Sequence, residues 1–415
     1  MQIKKKRTII GVAAVAAAGL AFGLVAPSAF ADPTHPNPGS ESDEVALVGV
    51  GSNTIQDVFT ALTHVVKDGS GNEVFASYDA TGSAQITPRF EGHTFDRPNG
   101  SGPGTLALRS AVNQENTVPD NGGTVTLRSS DVQFARSSTT QTPNSTGRYS
   151  QIPVAIDGVT YATEGTGSQI PTDLEVGDDS GAPFTDPGAP GPLNLTNIFN
   201  GSGYLQDENT GLTYWSGAGA SPDQTDFPKI DAFVPQSGSG TRNFWLGQLG
   251  LSNAVLGAGV LDTFGGNPVE ENDGSAVATD PYGIEPFSIA SDLAQGHAST
   301  LSSNYGISLT DRTHSVQLND IDSVAPTSGG VLNASFPEIR PVFVEVEHAQ
   351  LLINPLLSSV FHAHISGVSN TDIYNAENPV THANTIADFG FASLGSGTTI
   401  GGVDWIPGAT NDRFN

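Results

Sequence analysis

The sequence predicts an α/β fold, because strand-like apolar segments repeatedly end in turns of glycine and small hydroxyl residues. Four such segments occur, and two of the turns also carry an arginine. The segments and their turns are residues 45–50 with 51–54, 74–78 with 79–83, 132–135 with 136–138, and 230–234 with 235–242. In an open α/β sheet, ligands bind in the crevice outside the carboxyl ends of the strands. We therefore expect the four turns to share one site.

The turn at 235–242, Pro-Gln-Ser-Gly-Ser-Gly-Thr-Arg, has the clearest anion-binding pattern. Its glycines let the backbone approach a ligand, and the hydroxyls of Ser239 and Thr241 donate hydrogen bonds. An apolar segment follows, so the first N–H groups of a helix face the ligand at the positive end of its dipole. Arg242 adds a planar, charged donor. An ordinary serine N-cap explains the same stretch, so the prediction depends on recurrence at other strand ends.

The segments between these turns predict further helices and strands from their apolar spacing. Helices are predicted over 55–62, after 79–83, near 105–108, over 193–201 with a glycine stop, over 351–362, and over 385–391 with a turn. Strands are predicted over 152–156 and 159–162, as a long hairpin or a crossover strand, and over 342–347. No tandem repeat interrupts this alternation.

Residues 1–31 have the pattern of a cleaved signal peptide. A basic cluster at 4–7 precedes an apolar run at 9–26, and an Ala-x-Ala cleavage site stands directly before Asp32. A retained membrane anchor is the alternative interpretation of the apolar run. The polar, proline-rich segment 32–43 is predicted to be a disordered leader. The chain is therefore expected to be secreted, in the extracellular space or at the cell wall.

Composition excludes several classes of function. The 415-residue chain has no cysteine, which excludes disulfides, thiol catalysis, cysteine-ligated metals and a lipidated cysteine anchor. Its net charge is −27, and the mature part has only twelve basic residues against 43 acidic ones. Nucleic acid and anionic membranes are unfavourable partners for so acidic a protein. Any bound anion needs a local positive or hydrogen-bonding site, and the scarce arginines are the candidates for it.

No cofactor or metal is predicted. His362 and His364 have the spacing of a ligand pair, but two late histidines in a helical stretch are more often structural. Asn272, Asp273 and Gly274 begin like a calcium loop without the acidic ligands that complete one, which favours a plain turn.

Five segments together resemble the phosphate-binding proteins of bacterial phosphate ABC importers, in a secreted Gram-positive variant. They occur in the order found in that family and span roughly residues 44 to 415. The matching segments are 48–54, 78–83, 134–138, 195–201 and 237–241.

The resemblance implies a type II periplasmic-binding-protein fold, in which two α/β lobes joined by two crossover strands close like a hinge on the ligand. Lobe one is then residues 44–155 with 342–415, and lobe two is residues 156–341. It further implies a non-catalytic, monomeric receptor for inorganic phosphate or a similar oxyanion, with an importer permease as its partner.

The resemblance also implies a set of phosphate contacts. The family's contacts fall on Asn53, Thr54, Ser83, Ser138, Ser239, Gly240 and Thr241. Two arginines at these turns, Arg136 and Arg242, are candidates for the positive charge, and Ser137 lies beside the first of them. The family carries an arginine shortly before its Ser-Gly-Thr, where this chain has Pro235.

The second departure concerns specificity. The family has an aspartate where this chain has Ser138, and that aspartate accepts the proton of hydrogen phosphate and so rejects sulfate. Asp79 and Asp131 are the predicted substitutes.

Two other functions stay open on the sequence. One is a cell-surface or matrix protein of the same fold whose cleft binds another anion or a partner protein. The other is a secreted phosphoester hydrolase with Ser239 as nucleophile, although Ser239 lacks the G-x-S-x-G elbow.

Overall fold

The computed structural model describes residues 32–33, 45–177, 191–201, 203–208, 211–215, 227–362, 372–394, 398–400, 403–406, 409 and 413–415. The predicted signal peptide and most of the predicted leader lie outside these residues. Within them, no helix has the length and apolar character needed to cross a bilayer.

A mixed nine-stranded sheet organises the chain and confirms the predicted α/β class. Its strands are β1 (Leu47–Gly51), β2 (Phe75–Ser77), β3 (Phe134–Ser137), β4 (Tyr149–Thr163), β5 (Asp231–Ala232), β6 (Gly283–Ser288), β7 (Gln317–Leu318), β8 (Ile339–Glu347) and β9 (Arg413–Phe414). The order is β5-β6-β4-β8-β3-β1-β2, with β7 and β9 also paired to β4. Pairing is parallel at both ends of the sheet and antiparallel through β4 and β8.

Helices cover the sheet and follow several of its strands. They are α1 (Gln56–Val65), α2 (Ser101–Asn113), α3 (Leu195–Gly201), α4 (Gly240–Gln248), α5 (Ile289–Gly296), α6 (Ala298–Tyr305), α7 (His348–Ile353), α8 (Pro355–Phe361) and α9 (Thr385–Asp388). The helix predicted over 351–362 is two helices in the structure, α7 and α8, because Asn354 caps a new helix that starts at Pro355. The helix predicted after 79–83 is wrong: residues 85–86 form a short strand that pairs with 95–96.

Several small sheets of two or three strands lie outside the main sheet. They pair residues 118–120 with 123–125, 173–174 with 320–321, 263–264 with 267–268, 327–328 with 331–332, and 398–400 with 403–405, and join 191–192, 204–208 and 211–215.

Strands β4 and β8 run between two halves of the molecule. The first half contains α1, α2, α8 and β1–β3, and the second contains α3, α4, β5 and β6. The first part of β4 pairs with β8, and its last residues pair with β6 and β7. All fifteen residues of β4 are buried. The sequence left a hairpin or a crossover strand open for this region, and the structure has one continuous strand that crosses from one half to the other.

Apolar side chains form a separate core on either side of this crossing. The first core packs α1, α8 and one face of β1–β3, with Phe134 and Phe361 ring centroids 4.8 Å apart. The second core surrounds α3 and α4, where Phe199 meets Trp245 edge-on. The other face of β1–β3 has its own cluster with α2. Strands β4 and β8 contribute residues to both the first and the second core.

The predicted lobe bounds stay a prediction, and one region differs from them. Helices α5 and α6 fall in the predicted second lobe, yet Ala294, Leu301 and Tyr305 pack into the first core. Ile289, at the start of α5, belongs to the second core. Helix α5 therefore lies across the boundary between the halves.

The first residue of the predicted mature chain contacts the folded body. Arg97 donates to both carboxylate oxygens of Asp32, at 2.7 Å each. The same guanidinium donates to the hydroxyl and carbonyl oxygens of Ser83. Asp32 is therefore held by an ion pair of bidentate geometry.

Gly49 in the middle of β1 gives a test of this packing. A Cβ atom there would lie 2.0 Å from the ring of Phe134 in the first core. We expect Gly49→Ala to lower the free energy of unfolding by about 1–3 kcal/mol, because the ring has to move. Urea unfolding measures the change. Gly69→Ala, at an exposed position with open space around it, is the matched control and should be near neutral; equal stability of the two variants would contradict this description of the core.

Candidate functional site

Hydroxyl groups from both halves meet in one buried place, which we call the hydroxyl cluster. Its members are Ser52, Thr54, Ser101, Ser138, Ser239 and Thr241, each at most 5% exposed. Ser138 Oγ lies 3.2–3.3 Å from the hydroxyls of Ser52, Thr54 and Ser101. Thr54 Oγ1 lies 3.3 Å from Thr241 Oγ1, across 187 residues of sequence. Three of the four predicted turns therefore converge at the carboxyl ends of their strands.

The second half contributes through the N-terminus of α4. Ser239 is the N-cap, and its hydroxyl accepts from the N–H groups of Thr241 and Arg242. This is the helix start predicted from the sequence. At Gly240 the two halves are in close contact, since a Cβ there would lie 2.3 Å from Ser138 Oγ and 2.5 Å from Ser101 Oγ. A side chain at this position would have to displace these hydroxyls.

Arg340, on the crossing strand β8, supplies the positive charge of the cluster. It is 2% exposed, and its Nη2 donates to Thr241 Oγ1 at 2.8 Å and to Thr54 Oγ1 at 3.4 Å. The same nitrogen is 2.9 Å from Asp157 Oδ2 on β4, the residue directly opposite in the strand register. Nε and Nη1 are buried and have no hydrogen-bond partner among the described residues. The guanidinium therefore retains donors for a further acceptor.

Two glutamates accept hydrogen bonds from the predicted phosphate contacts. Glu271 accepts from Thr54 Oγ1 at 2.7 Å and from Ser239 Oγ at 3.1 Å. Glu270 accepts from the amide nitrogens of Asn53 and Asn99, both at 2.5 Å. The donors expected to hold an oxyanion are thus arranged around carboxylate oxygens of the chain itself. A carboxylate and an oxyanion both accept hydrogen bonds through oxygen, so the same donors are chemically able to serve either.

Burial raises the pKa of Glu270 to about 8, and the neighbouring charge of Glu271 adds to the effect. The hydrogen bond from Asn99 opposes the shift without cancelling it. Near neutral pH, Glu270 is therefore mainly protonated, and the site carries less negative charge than its two glutamates imply.

The remaining predicted contacts lie elsewhere or serve the fold. Ser83 is exposed and bonded to Arg97, away from the cluster. Arg136 is fully buried and donates to Ser77 and to the carbonyls of Gly51, Ser52 and Tyr78. These hydrogen bonds connect the end of β1 to the end of β2. Burial lowers the pKa of Arg136 to about 10.

Arg242 and Ser137 are likewise committed to neighbouring groups. Arg242 donates to Asn253 and Asp262, at 2.7 and 2.8 Å. Ser137 bonds the backbone of Thr139. The expectation that Arg136 or Arg242 supplies the cluster's charge differs from the structure, in which Arg340 is the arginine in contact with Thr54 and Thr241.

The two aspartates predicted to replace the family's proton acceptor also have other contacts. Asp131 is bonded to His93 and to the N–H of Arg128. Asp79 is 3.4 Å from Thr60 Oγ1, and burial raises its pKa to about 6. The carboxylate that touches the cluster is that of Glu271.

No group of three histidine or acidic side chains suited to a metal occurs in the part of the chain that the structure describes. His362 is exposed at the end of α8, and His364 lies outside the described residues. Asp273 caps a 3₁₀ turn over Gly274–Ala276, as expected of a plain turn.

Sequence reasoning missed Arg340, Asp157 and the glutamate pair. A signal for Arg340 was available, because arginines are scarce and this one adjoins the predicted strand at 342–347. That strand begins three residues earlier than predicted, which places Arg340 inside it. Nothing local marks Glu271, since its role depends on contacts with Thr54, 217 residues away.

Comparison with known proteins gives structural similarity only. No protein-family model and no curated protein sequence matches this chain. The fold is similar to that of phosphate-binding proteins. An ABC-type phosphate transport receptor from Vibrio cholerae is 13% identical, with 83% of this chain and 99% of that chain covered and a TM-score of 0.43. A phosphate-binding protein from Stenotrophomonas maltophilia is 15% identical, with 85% and 91% covered and a TM-score of 0.42.

Gly240 tests the close contact between the halves. We expect Gly240→Ala to destabilise the protein by about 1–3 kcal/mol and to separate the halves, because the methyl group collides with Ser138 and Ser101. Calorimetry measures the stability, and small-angle X-ray scattering measures the radius of gyration, which should rise. Gly247→Ala, in the same helix with open space around it, should change neither. A compact Gly240→Ala variant of wild-type stability would contradict the contact.

Glu270 predicts a pH dependence of stability. Its pKa is raised on folding from about 4.5 to about 8, so the native state holds a proton that the unfolded state releases. Stability therefore falls as pH rises between these values, by up to about 1.4 kcal/mol per pH unit from this group.

Glu270→Gln removes that titration, so its stability should fall less than that of the wild type between pH 5 and 8. Urea unfolding at several pH values makes the comparison. Glu115→Gln, at an exposed glutamate, serves as control and should follow the wild-type curve. Parallel curves for Glu270→Gln and wild type would show that Glu270 is not the group responsible.

Proposed function

We propose that this chain is a secreted, non-catalytic solute-binding protein that captures inorganic phosphate or a similar oxyanion between its two halves. One observation carries the proposal. Donors from distant turns, from the α4 N-terminus and from a crossing strand converge on one buried cluster. The order of the sequence segments that resemble phosphate-binding proteins points to the same ligand.

Neutral donors reconcile anion binding with the acidic chain. The cluster offers hydroxyls, among them Thr241 in the first turn of α4, and a single guanidinium whose charge Asp157 balances. Such groups bind an oxyanion through hydrogen bonds without a large positive field. Glu271 accepts hydrogen bonds from Thr54 and Ser239. A bound oxyanion would need the same two donors, so it would replace Glu271 as their acceptor.

The contacts of Ser239 favour binding over catalysis. Its hydroxyl caps α4 and donates to Glu271. A nucleophilic serine needs a base that is itself oriented by a third group and a free approach to substrate. Ser239 is fully buried, so we propose a receptor and not a hydrolase.

The proposal extends to the role of the captured anion. Two cores on two crossing strands suit a receptor that opens and closes, and we propose delivery to an importer permease by a monomeric, extracellular or wall-held protein. A cell-surface protein whose cleft binds another anion or a partner protein is the second candidate. Glu271 favours it, because its carboxylate already accepts from Thr54 and Ser239, two donors that a phosphate dianion would need.

Isothermal titration of inorganic phosphate into the purified protein tests the proposal. We expect saturable binding that Ser138→Ala weakens about tenfold or more, because a hydrogen bond to a charged ligand contributes about 1.5–3 kcal/mol. Ser83→Ala is the matched control, since the structure places that serine outside the cluster, and its affinity should equal that of the wild type. Absence of phosphate binding by the wild type would refute the proposal, and an equal loss in both variants would misplace the site.

A further inference from the structure

A cavity of about 620 Å³ adjoins the hydroxyl cluster and shares Ser138 and Arg340 with it. Residues 138–140 of the first half form one wall, and the α4 face with Phe244 and Gly247 forms another. Phe336 and Pro337, together with the first three residues of β8, form a third part of the lining. The cavity therefore lies between the halves, at the crossing strand that carries the guanidinium.

Two residues that line the cavity, Arg340 and Thr139, have buried donors without an acceptor in the part of the chain that the structure describes. Nε and Nη1 of Arg340 are buried without a partner among the described residues, and so is the hydroxyl of Thr139. A buried donor without an acceptor costs free energy, so an acceptor that reaches these atoms is stabilising. These donors suit the oxygens of an anion.

Apolar side chains form much of the remaining lining, together with the polar Thr140, Asn243 and Gln248. The apolar members are Phe244, Phe336, Pro337, Ile339, Pro341 and Ile400. The centroid of that ring lies 5.4 Å from Cζ of Arg340, so the guanidinium is stacked against an aromatic face. An apolar group that enters beside Phe244 would therefore be next to the cationic group that holds its anionic end.

Size separates two classes of ligand. Phosphate displaces no more than a few times the roughly 30 Å³ of a water molecule in the liquid. The cavity is in the range that pockets for small organic ligands occupy, and its mixture of apolar walls and a few convergent polar groups is typical of them. Free phosphate would leave most of the apolar wall without contact.

We infer that the cleft takes an oxyanion with one compact apolar or aromatic substituent, such as an organic phosphonate or a phosphate monoester. The anionic end contacts Arg340 and the hydroxyl cluster, and the substituent fills the cavity beside Phe244. This inference rests on the proposed function and names its ligand class.

Phenylphosphonate and inorganic phosphate, each titrated into the purified protein by calorimetry, test the inference. We expect phenylphosphonate to bind at least about tenfold more tightly, because burial of an aromatic ring strengthens binding by at least that factor.

Gly247→Phe provides the structural test. A Cβ at Gly247 has open space, and a helical side chain there extends back over Asn243 and Phe244, into the cavity. The variant should lose the preference for phenylphosphonate and keep its phosphate affinity within about twofold. Gly296→Phe, the same change at an exposed helical glycine of α5 with open space around it, should behave like the wild type.

The outcomes separate this inference from the proposed function. Phosphate binding with no preference for phenylphosphonate overturns the inference and leaves the receptor intact. A preference that Gly247→Phe does not reduce also overturns it, because the aromatic group is then outside this cavity. Failure of both anions to bind the wild type removes the proposed function itself. Selective loss of phenylphosphonate binding in Gly247→Phe supports the inference.

Discussion

The ion pair between Arg340 and Asp157 is the interaction on which the site depends. The two residues face each other on the crossing strands β8 and β4, and both are almost fully buried. Asp157 also accepts from Ser288 Oγ and from the N–H of Ala290 at the start of α5. A buried charge needs such compensation, and removal of one partner is far more costly than exposure of a surface pair. The pair therefore holds a cationic group on the strands that run between the halves.

The protein combines an acidic composition with a site around Arg340 that is built largely of neutral donors. Hydroxyl groups impose direction on an anion without attracting every anion in solution. Glu271 restricts binding, because a ligand must compete with it for the hydrogen bonds of Thr54 and Ser239. Protonation of Glu270 near neutral pH moderates the repulsion. Selectivity in such a site comes from hydrogen-bond geometry more than from net charge.

Small residues decide how closely the halves meet. Gly240 touches Ser101 and Ser138 without any side chain of its own, so the N-terminus of α4 reaches the strand ends of the first half. Beyond that contact, larger side chains of α4, together with Phe336, Pro337 and the first residues of β8, line the cavity. One interface therefore contains both a tight polar contact and an open apolar space, which is the arrangement that an amphipathic ligand requires.

The sequence by itself determined the elements and the chemistry of the turns. Apolar runs that end in glycine and hydroxyl residues predicted the α/β class, and the helix start at Ser239 follows from local capping. Thr54, Ser138 and Thr241 were candidates because each lies in a predicted turn that follows a strand. Tertiary structure decided which groups meet. Arg136 and Arg242 resemble Arg340 in sequence terms, but neighbouring carbonyls and side chains occupy their donors, whereas the register of β8 against β4 places Arg340 at the cluster. Contacts between residues hundreds of positions apart leave no local pattern, and for that reason only the folded chain shows them.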